Sequence, residues 1–218
     1  AGSTVTFNFY TSADVSLTLP GNSRTADFEL FTLFPRTNGF PPYWDGTQVR
    51  YVSAEPASFE VRLRIPAWSE KTIVRLNGKE LAGVKAGAYF RINRTWTCGD
   101  SLEIMFDMRV RRHEKNGFVA FTAGPLVLAR DARFGDGQLA TVVRPVGLDN
   151  VRFVQVRPPT SAFAAVYAAA LPMGPNEDNA FASLPSVVRF ADFASAGNTW
   201  DDTSSYRVWL PLAQEAKR

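Results

Sequence analysis

The sequence predicts an all-β protein, an antiparallel β-sandwich region, on three observations. Apolar residues recur at every second position in several separate stretches, turn pairs lie between those stretches, and sustained helical spacing is scarce. A period of two means that one face of each strand meets a core while the other meets water, as in antiparallel sheets.

The elements follow in chain order. Val5, Phe7 and Phe9 alternate with Thr4, Thr6 and Asn8, which predicts an opening strand with its aromatics buried. Val15, Leu17 and Leu19 repeat the spacing, and Pro20-Gly21-Asn22 closes that strand. The clearest case is Phe59, Val61, Leu63 and Ile65, set against Glu60, Arg62 and Arg64. Asn77-Gly78 stands between Ile73-Val74-Arg75-Leu76 and Lys79-Glu80-Leu81; both residues tolerate positive φ, so the pair predicts a two-residue hairpin. Gly99-Asp100 is the next turn. Beyond it Leu102, Ile104, Phe106, Met108 and Val110 predict one strand, with Glu103, Asp107 and Arg109 on its wet side. Ala162 to Ala170 has the alanine content of two helical turns, yet Phe163, Val166 and Tyr167 favour a strand by residue type.

Two subdomains are expected, 1–112 and 113–218, each a β-sandwich and the two packed together. The boundary is set by the charged run Arg111-Arg112-His113-Glu114-Lys115, read as an exposed strand end. Beyond it turn residues become denser, as in Gly135-Asp136-Gly137, Pro158-Pro159 and Pro172 to Asn179.

Composition excludes several classes. A chain of 218 residues, 45% of them hydrophobic, can bury roughly 70% of its unfolded surface and needs no staple. The net charge of +3 comes from scattered cations. Nucleic-acid binding needs several on one face, so no such partner is expected. No apolar stretch reaches the roughly 18 residues of a spanning helix, so no membrane partner is expected either, and the opening residues show no signal peptide. Cys98 is the only cysteine, which excludes an internal disulfide and a multi-cysteine zinc site. His113 is the only histidine and sits in the charged run, where an ordinary solvated side chain is expected. No metal and no cofactor is predicted.

Several stretches, in order, resemble the region downstream of the catalytic barrel in the family 127 glycoside hydrolases, the bacterial beta-L-arabinofuranosidases. Val5-Thr6-Phe7-Asn8-Phe9-Tyr10 is similar to the family's first strand after the barrel, and Tyr43-Trp44-Asp45-Gly46 to its "YPWDG" turn. Leu63-Arg64-Ile65-Pro66-Ala67-Trp68 resembles "LRIPGW" with Ala67 in place of glycine, and Arg94 to Asp100 resembles "RxWxxGD". Gly124-Pro125-Leu126-Val127 is similar to "RGPLVY" with Ala123 in place of arginine, and Val208-Trp209-Leu210-Pro211 to the terminal "VWLP". Asp131 to Asp192 adds almost nothing to the likeness.

The resemblance implies that catalysis belongs to a preceding (α/α) barrel carrying a cysteine nucleophile on zinc. Cys98 has no cysteine partner and reads as a turn residue, so no catalytic residue is assigned to this chain. The implied role is a non-catalytic accessory region packing on that barrel, the parent being a glycoside hydrolase of carbohydrate metabolism. A homo-oligomer contact is a further expected partner. Glycan-degrading bacteria often export enzymes of this kind, which points to the periplasm or the extracellular space.

Two groups of residues are candidates for ligand binding. Phe40, Tyr43, Trp44 and Asp45 gather three aromatics and a carboxylate in a proline-rich loop, fit either to plug one end of a sandwich and meet the barrel or to bind a glycan as a carbohydrate-binding module. Asn198 and Trp200 lie in a polar, turn-prone loop with Asp192 and Gly197. Asp201-Asp202 is the obvious acidic pair, but a glycosidase needs two carboxylates facing one bond, and neighbours in a strand or turn do not converge. Trp68, Trp96 and Trp209 are expected to pack in cores.

Overall fold

The computed structural model describes residues 3–20, 24–33, 46–174 and 185–213. It is all-β, with the chain dividing into two compact units: 1–35 with 42–108, and 36–41 with 109–218.

Unit 1 holds β1 (Thr4–Phe7), β2 (Ala13–Thr18), β3 (Thr25–Thr32), β4 (Gly46–Tyr51), β5 (Ala57–Arg64), β6 (Ile73–Leu76), β7 (Lys79–Glu80), β8 (Tyr89–Trp96) and β9 (Ser101–Met105). They form a three-stranded sheet, β1-β5-β8, and a six-stranded sheet, β2-β3-β4-β9-β6-β7. One core cluster draws on both. All pairings are antiparallel except β1 with β5, which run parallel from Thr4↔Glu60 to Phe7↔Leu63.

Strand β5 realises the period of two: Phe59, Val61 and Leu63 are buried, and Ile65 just beyond it as well. On the other face Glu60 and Arg62 are half-buried and form an ion pair. Trp96, at the end of β8, is 1% exposed. Its indole lies against Phe59, ring centroids 5.9 Å apart, and Nε1 donates to the Phe59 carbonyl at 3.2 Å.

The turns obey their residue chemistry. Asn77 and Gly78 take φ of 50° and 79° between paired residues Leu76 and Lys79, the geometry that matches the twist of a hairpin. A Cβ on Gly78 would meet no atom within 4 Å, so Gly78→Ala is expected to cost only the left-handed backbone penalty, about 1–2 kcal/mol. Urea unfolding checks this, and unchanged stability would contradict the positive φ. Asp100 ties the β8–β9 turn together, accepting from Thr97 N at 2.8 Å and from Asn77 Nδ2 at 2.7 Å.

Four expectations fail here, each for a local reason. Phe9 is 80% exposed because the chain leaves the sheet after Phe7. Asn8 then accepts from the Tyr89 hydroxyl at 2.6 Å and Tyr10 donates to the Arg64 carbonyl at 2.8 Å, which leaves Phe9 outward. Burial pushes the Tyr10 phenol well above its ordinary range, the nearby Arg64 cation opposing the rise only in part. The stretch Leu102 to Val110 is not one strand: β9 ends at Met105 and the next strand begins at Val110. Asp107 is buried rather than wet; its backbone N–H donates to Ser69 Oγ at 2.8 Å and its carboxylate accepts from Lys71 N at 3.3 Å, so a polar side chain ends the alternation inside the core margin. Leu17 is 38% exposed, since β2 is an edge of its sheet and is paired on one side only.

Unit 2 holds β10 (Val110–Lys115), β11 (Phe118–Ala123), β12 (Leu126–Asp131), β13 (Phe153–Val156), β14 (Val166–Leu171), β15 (Ser186–Asp192), β16 (Tyr206–Arg207) and β17 (Leu210–Pro211). The charged run lies within β10, so a break between 112 and 113 would cut this strand. Asn116 and Gly117 (φ 51° and 77°) make a second two-residue hairpin, between Lys115 and Phe118. The alanine-rich stretch yields strand β14, not a helix.

The sheet order is β10-β11-β12-β15-β14-β13, with β16 pairing β12 and β17 pairing β11. The eight strands of unit 2 are thus joined in one hydrogen-bonded sheet. It curls on itself: β11 and β13 are four positions apart, about 19 Å in a flat sheet, yet the Phe121 and Phe153 rings have centroids 4.8 Å apart. The core lies inside that curl, around Phe121, Leu128, Tyr167, Val188 and Phe190. Trp209 departs from expectation at 41% exposed, while its neighbour Leu210 is fully buried. Trp209 lies in the bend before β17, whose first residue, Leu210, is the one turned into the core. No helix among the described residues is long and apolar enough to cross a membrane.

Candidate functional site

Of the sequence candidates, Phe40, Tyr43, Trp44 and Asp45 lie outside the described residues. Asn198 and Trp200 are described, and both stand on the loop joining β15 to β16.

That loop begins with a buried turn. Asp192 Oδ2 accepts from Ser195 Oγ at 2.7 Å and from Ala165 N at 3.0 Å, while the Ser195 hydroxyl accepts from Ala164 N at 3.0 Å. Buried polar atoms must be paired, and this reciprocal set fixes the exit from β15.

The next anchor comes from the end of β12. Asp131 is 1% exposed and grips the Arg133 guanidinium in two parallel bonds, Nε to Oδ1 at 2.8 Å and Nη2 to Oδ2 at 2.7 Å. Its Oδ2 also accepts from Gly197 N at 2.9 Å. Arg133 reaches on to Asn198 Oδ1 at 2.8 Å and to the Ser195 carbonyl at 3.0 Å; its guanidinium carbon lies 4.4 Å from the Phe163 ring centre. Asn198 closes the bracket by donating from Nδ2 to the Ala162 carbonyl at 2.8 Å. Its side chain is thus committed to holding the loop. Burial raises the Asp131 carboxyl, but the hydrogen bonds from Arg133 and Gly197 outweigh that and hold it below its usual range.

Gly197 has φ 64°, and a Cβ there would fall 2.6 Å from both the Ser204 carbonyl oxygen and the Tyr206 ring. Only glycine fits. Beyond it Asp201 closes a tight turn, accepting from Thr203 N at 2.8 Å and Thr203 Oγ1 at 2.6 Å, bonds that lower its carboxyl pKa. Its N–H donates to Ser204 Oγ at 2.8 Å. Trp200, between the two anchors, has φ 56° and is 91% exposed.

Asp201 is spent within its own turn. A groove of about 720 Å³ in unit 2, lined by Arg109, Arg112, Phe121, Asp149, Arg152 and Phe153 among others, has Asp149 as its one acidic residue, and Arg112 pairs with it at 2.7 Å. No group of three or more His, Cys, Asp and Glu residues among the described ones is arranged to hold a metal ion. Cys98 is exposed in the β8–β9 turn, and His113, exposed on β10, shares a hydrogen bond with Thr122 at 2.9 Å.

Sequence reasoning missed the Asp131–Arg133 bracket, because its partners are up to 66 residues apart. The available signal was Asp131 followed two residues later by an arginine at a strand end, a pattern too common to single out. Both units depend on carboxylates held below their ordinary range, Asp100 in unit 1, where burial is outweighed by bonds from Asn77 and Thr97 and by Arg94, and Asp131 in unit 2. A lowered folded pKa stabilises above the unfolded value, near about 3.9, and that contribution is lost as pH falls through the folded one. Urea midpoints are therefore expected to hold steady between about pH 7 and pH 5 and to fall below about pH 4; midpoints that rise in acid would contradict this.

Comparison with known proteins bears on this arrangement. Residues 4–108 match the family model described as Beta-L-arabinofuranosidase, GH127 middle domain. Among solved structures, one titled a glycoside hydrolase superposes with a TM-score of 0.72 at 18% identity, covering 96% of this chain and 36% of that one. A GH127 beta-L-arabinofuranosidase from Geobacillus stearothermophilus T6 gives 0.70 at 17% identity, with 98% and 34% covered. A GH127 beta-arabinofuranosidase gives 0.71 at 18%, with 97% and 35% covered. These likenesses show the fold, and the chain spans about a third of the length of those proteins. No curated protein matches by sequence.

Proposed function

Because residues 4–108 are matched by the middle domain of the GH127 beta-L-arabinofuranosidases, we propose that the chain is a non-catalytic accessory β region of a glycoside hydrolase. The parent chain supplies the catalytic (α/α) barrel, and the two β subdomains pack on it and steady loops near its mouth. That match is the observation that carries the reading. The chemistry of the described residues supports it: the carboxylates of Asp100, Asp131 and Asp201 are each committed to holding a turn, as befits a scaffold. Exposed apolar side chains such as Phe9, Val146 and Val187, at 80%, 80% and 69%, are the kind of surface that a domain contact covers.

The test is to produce the parent's barrel region alone, add the 218-residue chain in trans, and follow both hydrolysis of an aryl arabinofuranoside and co-elution. The expected result is a complex, with barrel activity or solubility raised. A barrel that is fully active and soluble alone and never co-elutes with the chain would overturn the reading.

A further inference from the structure

We propose that Trp200 is the stacking platform of a saccharide-binding site on the loop between β15 and β16. This goes beyond the accessory role and stands or falls independently of it.

The first observation is exposure. At 91% Trp200 is the most exposed of the large hydrophobic side chains described, although an indole normally buries most of its area. The second is backbone conformation: a bulky residue at φ 56° is costly and persists only where its surroundings impose it. The third is that the surroundings do impose it. On one side Gly197 and Asn198 are clamped by Asp131, Arg133 and the Ala162 carbonyl. On the other, Asp201 and Ser204 lock the turn, and Thr199 and Ser204 share a hydroxyl bond at 2.8 Å. The indole is held out by a rigid loop, so little ordering cost remains on binding.

The rim decides the ligand class. A protein hot spot sits among close-packed neighbours that exclude water. Here the sequence neighbours are Asn198, Thr199, Asp201, Asp202 and Thr203, all exposed. Asp202 makes no hydrogen bond or ion pair among the described residues, which leaves its carboxylate open to accept. A bare aromatic face flanked in sequence by hydroxyl and carboxylate groups, with that of Asp202 open to accept, complements a sugar, which has an apolar ring face and a periphery of hydroxyl donors.

The test is native affinity electrophoresis of the 218-residue chain in gels cast with arabinan, arabinoxylan or hydroxyethylcellulose, alongside Trp200→Gly and Trp209→Ala. Glycine adopts this φ freely, so the fold survives the first substitution, and unchanged circular dichroism verifies that. The expected result is retardation by at least one polysaccharide, weakened by about tenfold or more in Kd in Trp200→Gly and retained in Trp209→Ala. No retardation in any gel, or equal retardation of Trp200→Gly and the parent chain, would overturn the proposal. So would sedimentation in which Trp200→Gly dissociates a dimer, since that assigns the indole to a protein contact.

Discussion

Asp131→Ala is expected to destabilise unit 2 by about 3–5 kcal/mol, the usual consequence of removing one partner of a buried pair. The Asp131 side chain is fully buried and that of Arg133 12% exposed, so the substitution strands a guanidinium that water reaches poorly. It also strips Gly197 N of its acceptor. The loss is read as a drop in the urea midpoint with the slope unchanged. Asp131→Asn should fall between the two, since an amide can accept from Gly197 but cannot neutralise Arg133. If Asp131→Ala cost under about 1 kcal/mol, the ordinary value of an exposed pair, the bracket would not be what holds the β15–β16 loop.

Trp96→Ala is expected to be as damaging to unit 1, at about 3–5 kcal/mol. The indole is 1% exposed, stacks on Phe59 and donates to that residue's carbonyl. Truncation leaves a cavity beside Phe59 and removes the indole's hydrogen bond to its carbonyl. Trp96→Phe should recover much of the packing and not the hydrogen bond. Thermal unfolding measures both variants, and a loss in Trp96→Ala no larger than that of a surface substitution, within about 0.5 kcal/mol, would contradict the packing described.

What could be read from the sequence was local. The alternation from Phe59 to Ile65 and the Asn77-Gly78 hairpin depend on neighbouring residues, and both are found as expected. Alternation is only a necessary sign of a strand, however. Leu102 to Val110 keeps its period through Asp107, where burial of a carboxylate that caps a backbone amide breaks the ladder. Asn116-Gly117 carries the same hairpin chemistry as Asn77-Gly78 but was obscured by the charged run before it, which lies in the edge strand β10. The parallel pairing of β1 with β5 and the curl that joins Phe121 to Phe153 join residues distant in sequence, and no local pattern encodes them.

The candidate site was legible in part. Composition singled out Asn198 and Trp200 as members of a polar loop. It did not distinguish their roles, because Asn198 works inward through Arg133 and the Ala162 carbonyl while Trp200 points to solvent. That difference depends on Asp131, which sequence reasoning had no ground to connect with the loop. Trp209, assigned to a core by residue type, is partly exposed in the bend that precedes β17.

The proposed accessory role assigns no chemistry to this chain, and the carboxylates of Asp100, Asp131 and Asp201 each hold a turn. The most direct measurement is release of the aryl group from an aryl beta-L-arabinofuranoside by the purified 218-residue chain at high protein concentration, with Cys98→Ser alongside. Release no faster than in buffer is expected for both proteins. Release that rises in proportion to the protein added, with saturation by substrate, would contradict it.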